Sequence, residues 1–407
     1  MNIDERLRDA LGEYRDQARV SPELFDRIEA RTQRTVVSFR TLVPAMAALL
    51  VVVTIAATLV IRTGGTDDAR ISSAAAARCS GKAYVTNGNG TVSVIDTATA
   101  TVSATIPVGG SPGAVAITPD GKHIYVANGG DDTVSVITTA TGQVSATVPV
   151  GGLPRGKFGG GPGGVAITPD GKYAYVTNVK MIEGVFGGVG QVLVITTDTG
   201  MVSAILPVGV LPNAVAITPD GKHAYMTHTR KGDGEVSVIT TATGASLISP
   251  AGAVSATIPV DAYAVAITPD GKHAYVTDGS GAVSVIDTAT GVVSATITVG
   301  NSPRGVAITP DGKHAYVTNY NNGTVTVITT ATGVVSATIP VGHVEGFPHP
   351  FGVAITPDGK HAYVINDDAT VSVIETATGT VSASIAVGGE PSAVAVCPAR
   401  RAHRRRK

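Results

Sequence analysis

Residues 115–150 read VAITPDGKHIYVANGGDDTVSVITTATGQVSATVPV, and this block occurs, complete or nearly so, seven times in the 407-residue chain. Its copies are marked by Tyr84, Tyr125, Tyr175, Tyr225, Tyr275, Tyr316 and Tyr363, spaced 41, 50, 50, 50, 41 and 47 residues apart. The block divides into four strand-length runs, A to D, at 113–118, 122–128, 133–138 and 143–150. Between A and B, Pro119 presets the first turn angle, Asp120 suits the next position and Gly121 accepts a positive φ, which spells a hairpin. A second turn, Thr139-Ala140-Thr141-Gly142, separates C from D. Valine, isoleucine, alanine and threonine fill both faces of the runs, as in sheets packed between other sheets. Short β-branched runs returning at this period predict one small sheet per repeat. The expected fold is all-β: a seven-bladed β-propeller of four-stranded blades spanning 79–397, preceded by an N-terminal helical segment and one transmembrane helix.

The tetrapeptide Tyr-Val-Thr-Asn stands at 84–87, 175–178 and 316–319. With the surrounding strands and turns, it resembles the YVTN family of β-propeller repeat proteins over about residues 80–397. The resemblance implies a seven-bladed propeller of the kind often found in cell-surface or surface-layer-like proteins. It implies no single reaction, because propellers host many unrelated functions.

The first repeat opens at strand B (Lys82 to Asn87) without the strand before it, and the chain closes on a lone strand A, Ser392 to Cys397. The last strand is therefore expected to complete the first blade. In this alignment Cys397 takes the place of Thr118 and Cys79 that of Pro119. The chain's only two cysteines thus adjoin across the missing hairpin, where a disulfide would replace the covalent turn; the alternative is two separate buried thiols. A disulfide requires an oxidising compartment.

Residues 41–61, TLVPAMAALLVVVTIAATLVI, are uncharged and long enough to cross a bilayer as a helix. Forty mostly polar residues precede them, too many for an ordinary secretory signal, so a retained signal anchor at 41–62 is expected. Arg31, Arg34 and Arg40 flank it on one side, while Arg62, Asp67, Asp68 and Arg70 nearly cancel on the other. The N-terminus is then cytoplasmic and the propeller extracytoplasmic. Residues 1–40 read as a cytoplasmic helical segment: Leu7, Leu11 and Tyr14 share a stripe, and Ser21-Pro22 forms a helix start before Leu24, Phe25 and Ile28. A stalk is expected at 63–78 and a basic tail at 398–407. The net charge of −1 conceals a division, with residues 79–397 at −8 and the tail at +6. That tail lies outside the cell in this topology, which excludes nucleic acid as its partner.

Strand order puts the A–B and C–D turns at one end of the ring and the B–C and D–A loops at the other, here called the top. Insertions relative to the shortest repeat fall near 151–162, 179–189, 229–234, 245–252 and 343–350, and all but the fourth are on top. One column varies while its neighbours hardly change: the residue after the proline of each D–A loop. It reads Gly113, Gly163, Asn213, Tyr263 (where Ala262 replaces the proline), Arg304, Phe351 and Ser392. Asn213, Tyr263, Arg304 and Phe351 come from successive blades and would form an arc at the channel mouth, suited to an anionic or sugar-like ligand or a peptide side chain. The alternative is free drift at positions that touch little. His228, Arg230, His343 and His349 belong to the same loops and would extend the site. Histidines 123, 223, 273, 314 and 361 decorate the opposite hairpins. Asp131-Asp132 and Asp367-Asp368 are explained by turn chemistry or weak calcium binding. There is no CxxCH, no HExxH and no helix after Pro-Asp-Gly-Lys to cradle phosphate. No cofactor or metal is expected.

These features predict a membrane-anchored, cell-surface binding or structural module. Its partner would be an extracellular protein or a cell-wall glycan. An extracytoplasmic enzyme, lactonase-like or cofactor-dependent, and a transmembrane sensor with a cytoplasmic partner are the alternatives.

Overall fold

The computed structural model describes residues 79–151, 161–180, 189–228, 234–241, 254–341 and 349–398. The expected helical segment, anchor and stalk, the tail beyond Pro398, and most of the five insertions lie outside the described residues. Among the described residues, no helix is long and apolar enough to cross a membrane.

Seven four-stranded antiparallel sheets form the ring. In blade 2, strand A is Pro112–Ile117, B is His123–Asn128, C is Thr133–Thr138 and D is Gln143–Pro149. The pattern recurs in the blades whose A strands are Gly161–Ile167, Pro212–Ile217, Ala264–Ile267, Pro303–Ile308 and Pro350–Ile355, numbered 3 to 7. Blade 1 takes its A strand, Pro391–Val396, from the far end of the chain and pairs it with Lys82–Asn87. Its B, C and D strands are Lys82–Asn87, Thr91–Asp96 and Thr101–Pro107. The A strands of adjacent blades touch around the axis. Strands B and C are buried, and strand D, at the rim, is largely exposed.

The repeated letters have specific tasks. Each marker tyrosine is buried in an apolar cluster shared with the following blade, such as Tyr125, Val134 and Val136 against Ala174, Val176 and Ile195. In the middle blades the threonine of this block bonds two blades at once. Thr177 Oγ1 donates to Asn213 O of the next blade (2.8 Å) and accepts from Gly164 N of its own (2.7 Å). That N–H needs a side-chain partner because a register shift between Pro162 and Val165 frees it from the ladder. The closing asparagine fixes strand C: Asn128 Nδ2 donates to Thr133 Oγ1 and Ser135 Oγ.

The seam obeys the same rules. Cys79 and Cys397 form the expected disulfide, with Cα atoms 5.8 Å apart. Cys397 N donates to Lys82 O (3.0 Å), matching the Thr118 N to His123 O bond (2.9 Å) of an intact hairpin. In those hairpins the glycine has positive φ (70° at Gly121) and faces the preceding blade's proline. A Cβ placed on Gly171 would lie 3.6 Å from Pro119, and one on Gly121 would lie 3.5 Å from Cys79. The disulfide therefore occupies the proline's place.

Candidate functional site

All seven residues of the variable column converge on one cavity of about 290 Å³ at the upper end of the axial channel. They reach it because each lies at the start of strand A, the innermost strand, where the D–A loop enters the ring. The arc of Asn213, Tyr263, Arg304 and Phe351 forms one side, Gly113 and Gly163 leave the other low, and Ser392 completes the circuit. The next residue along the strand is small throughout, and Gly305 shows why: a Cβ there would fall 2.5 Å from Phe351 O.

Arg304 dominates the electrostatics. It is the only arginine among the described residues. Its Cζ lies 4.2 Å from the ring centre of Tyr263 and 5.0 Å from that of Tyr320, a cation held over two aromatic rings. Among the described residues no carboxylate pairs with it, and its buried Nε has no hydrogen-bond partner. Asn213 Nδ2 donates to Tyr263 O (2.9 Å), tying two members of the arc together. Below them, Thr227, Thr277 and Thr318 donate to the carbonyls of Tyr263, Arg304 and Phe351 at 2.9, 2.8 and 2.7 Å. The variable side chains thus project from a backbone held rigidly by the repeat.

Tyr320 was not among the expected site residues. It opens the one-turn helix Tyr320–Asn322 in the B–C loop of blade 6. His349 stacks on it (centroids 4.3 Å apart, planes 13° apart), with His349 Nδ1 2.7 Å from Tyr320 O, and Phe351 meets it edge-on at 4.8 Å. His349 therefore supports the aromatic wall from behind. The signal was in the sequence: the residue after the YVTN block is Gly88, Gly129, Val179, Thr229, Gly279, Tyr320 and Asp367, a second variable column with a single aromatic.

His228 does not belong to the cavity. It stands in the asparagine position of its repeat and is buried, with Nδ1 3.0 Å from Val210 O and Nε2 2.9 Å from Ser237 Oγ. Burial lowers its pKa below the usual imidazole value. With both ring nitrogens engaged it is a structural substitute for asparagine, which corrects its assignment as a ligand-binding residue. Arg230 and His343 lie outside the described residues. The acidic pairs serve turns: Asp131 accepts from Gly110 N, Asp367 from His349 N, and Asp368 from Thr370 N. Among the described residues no group of acidic, histidine or cysteine side chains could hold a metal ion.

Residues 39–182 match the model of the YNCE-like beta-propeller family, and residues 225–348 match that of the cytochrome D1 heme domain. Among solved structures, the chain is similar to Kuenenia stuttgartiensis hydrazine synthase at 25% identity and a TM-score of 0.62, over 74% of this chain and 94% of that one. It is also similar in fold to a functionally unknown protein from Desulfotomaculum acetoxidans DSM 771, at 18% identity and a TM-score of 0.62, over 78% and 99% of the two chains. No curated protein matches it.

The second family match raises the question of haem. Haem iron is held by histidine, cysteine, methionine or tyrosine, and the cavity lining offers only Tyr263, whose ring lies beneath the Arg304 guanidinium. The cavity volume of about 290 Å³ is at the lower limit for small-molecule sites. The described residues of this lining do not fit a haem. The repeat, the closed ring of seven sheets and the YNCE-like match place the chain among the β-propeller proteins.

Proposed function

We propose that this protein is a YVTN-type propeller anchored by residues 41–62, with its N-terminus cytoplasmic and its ring displayed at the cell surface, where it binds an extracellular ligand through the top of the channel. One observation carries the binding assignment. The seven positions of the variable column after the start of each blade all line one cavity, and the cavity holds a cation with no carboxylate partner among the described residues. Strands B to D are almost interchangeable between blades, and this column concentrates chemically distinct side chains in one cavity. The apolar run at 41–61, its basic N-terminal flank and the disulfide support the topology.

The test is retention of the full-length protein on arrays of wall glycans and secreted peptides. Loss of binding is expected when Tyr263, Arg304 and Phe351 are all changed to Ala, and none when the bottom-hairpin Lys222 is changed to Ala. Equal binding by the triple variant would remove the channel mouth from the account.

The cytochrome D1 heme domain match favours a second reading, a cofactor-dependent propeller enzyme. It predicts a Soret band when haem is added to the purified chain. The ligand-poor lining predicts an unchanged haem spectrum.

A further inference from the structure

Resting on the channel mouth as a recognition site, we infer that its ligand is a small hydroxy-carboxylate, of the kind a uronic acid presents at the end of an acidic glycan. The carboxylate follows from Arg304. A guanidinium in cation–π contact with aromatic rings still has N–H donors to offer. Arg304 lies over Tyr263 and Tyr320, and its Nε is buried without a partner. A planar carboxylate accepts two parallel bonds from such a fork. A single charge on the ligand suits the lining best. Among the described residues Arg304 is the only charged one of the lining, and residues 79–397 carry a net −8, so a phosphate dianion would meet one cation within a repelling field.

The hydroxyl follows from Asn213. Its amide nitrogen donates to Tyr263 O at 2.9 Å, and a carbonyl can only accept, which fixes the amide's orientation. The Asn213 Oδ1 is left to accept from a ligand, and a hydroxyl supplies that proton. Tyr263 stands between Asn213 and Arg304 in blade order and, with Phe351, gives aromatic surface for the carbon skeleton of a sugar ring. Gly113 and Gly163 on the low side leave space for it. A volume of about 290 Å³ suits one such ring rather than an extended chain.

Calorimetric titration of the full-length chain with D-glucuronate, glucose, inorganic phosphate and N-acetyl-alanine tests the inference. Glucuronate is expected to bind more tightly than the other three. Arg304→Ala should weaken it roughly ten- to hundredfold, the loss of hydrogen bonds to a charged group. Arg304→Lys should fall between wild type and Arg304→Ala, and Lys222→Ala, on a bottom hairpin away from the cavity, should bind as wild type. Melting curves confirm that each variant is folded. Absence of heat with millimolar glucuronate, tighter binding of phosphate or N-acetyl-alanine, or an unchanged Arg304→Ala would overturn it. If glucose binds, is lost with Tyr263→Ala and Phe351→Ala and survives Arg304→Ala, the cavity remains the recognition site and only the carboxylate assignment falls.

Discussion

Cys79 and Cys397 close the ring across a Cα separation of 5.8 Å although 318 residues separate them in the chain. The bond stands where every other blade has a covalent A–B hairpin. Without it, strand A of blade 1 is held by its pairing with strand B and by the next blade. By the chain-entropy estimate a closed loop of this length contributes up to about 5 kcal/mol. Cys79→Ser is therefore expected to lower the denaturant midpoint substantially, and reductant should bring wild type to the same value. A midpoint unmoved by reductant would contradict this.

Thr318 bridges blades 6 and 7, accepting from Gly305 N at 2.8 Å and donating to Phe351 O at 2.7 Å. Thr318→Val keeps the shape and removes both bonds, stranding a backbone donor and acceptor near the axis. A loss of about 1–3 kcal/mol is expected in urea unfolding.

His228 introduces a pH dependence that its asparagine counterparts lack. Burial holds its folded pKa below the ordinary 6.5. As pH falls through 6.5 the unfolded chain takes up a proton before the folded one does, so this contribution is complete above 6.5 and declines below it. Melting temperature is expected to drop between pH 7.5 and 5.5, and His228→Asn should reduce the drop. An identical pH profile for the variant would show that His228 does not contribute.

Tyr320→Leu removes one of the two rings beneath Arg304 while leaving Tyr263 in place. The lost cation–π contact corresponds to about 0.5–1 kcal/mol, so glucuronate affinity should fall roughly two- to fivefold. An unchanged affinity would exclude Tyr320 from the site.

The fold was legible because the repeat states each contact several times over. Tyrosine between blades, threonine across them and the hairpin glycine against the preceding proline are local rules that the sequence displays directly. The seam was equally readable, since Cys397 and Cys79 fall at aligned positions. The arc was found by the inverse reasoning, from the column where Asn213, Tyr263, Arg304 and Phe351 break the pattern. Tyr320 was missed because it comes from a different loop, and only three-dimensional packing brings a B–C residue of blade 6 beneath Arg304 and beside Phe351. His228 was misassigned for the opposite reason. Its loop neighbours are on the top face, but its register position, the end of strand B, points it into the sheet.

If Arg304 grips the ligand, the resonance of its own N–H reports the contact directly. In nitrogen-15-labelled full-length protein the Nε–H signal of Arg304, assigned by its disappearance in Arg304→Lys, should shift when D-glucuronate is added and stay in place with glucose. A signal unmoved by glucuronate at concentrations that saturate binding would contradict the account.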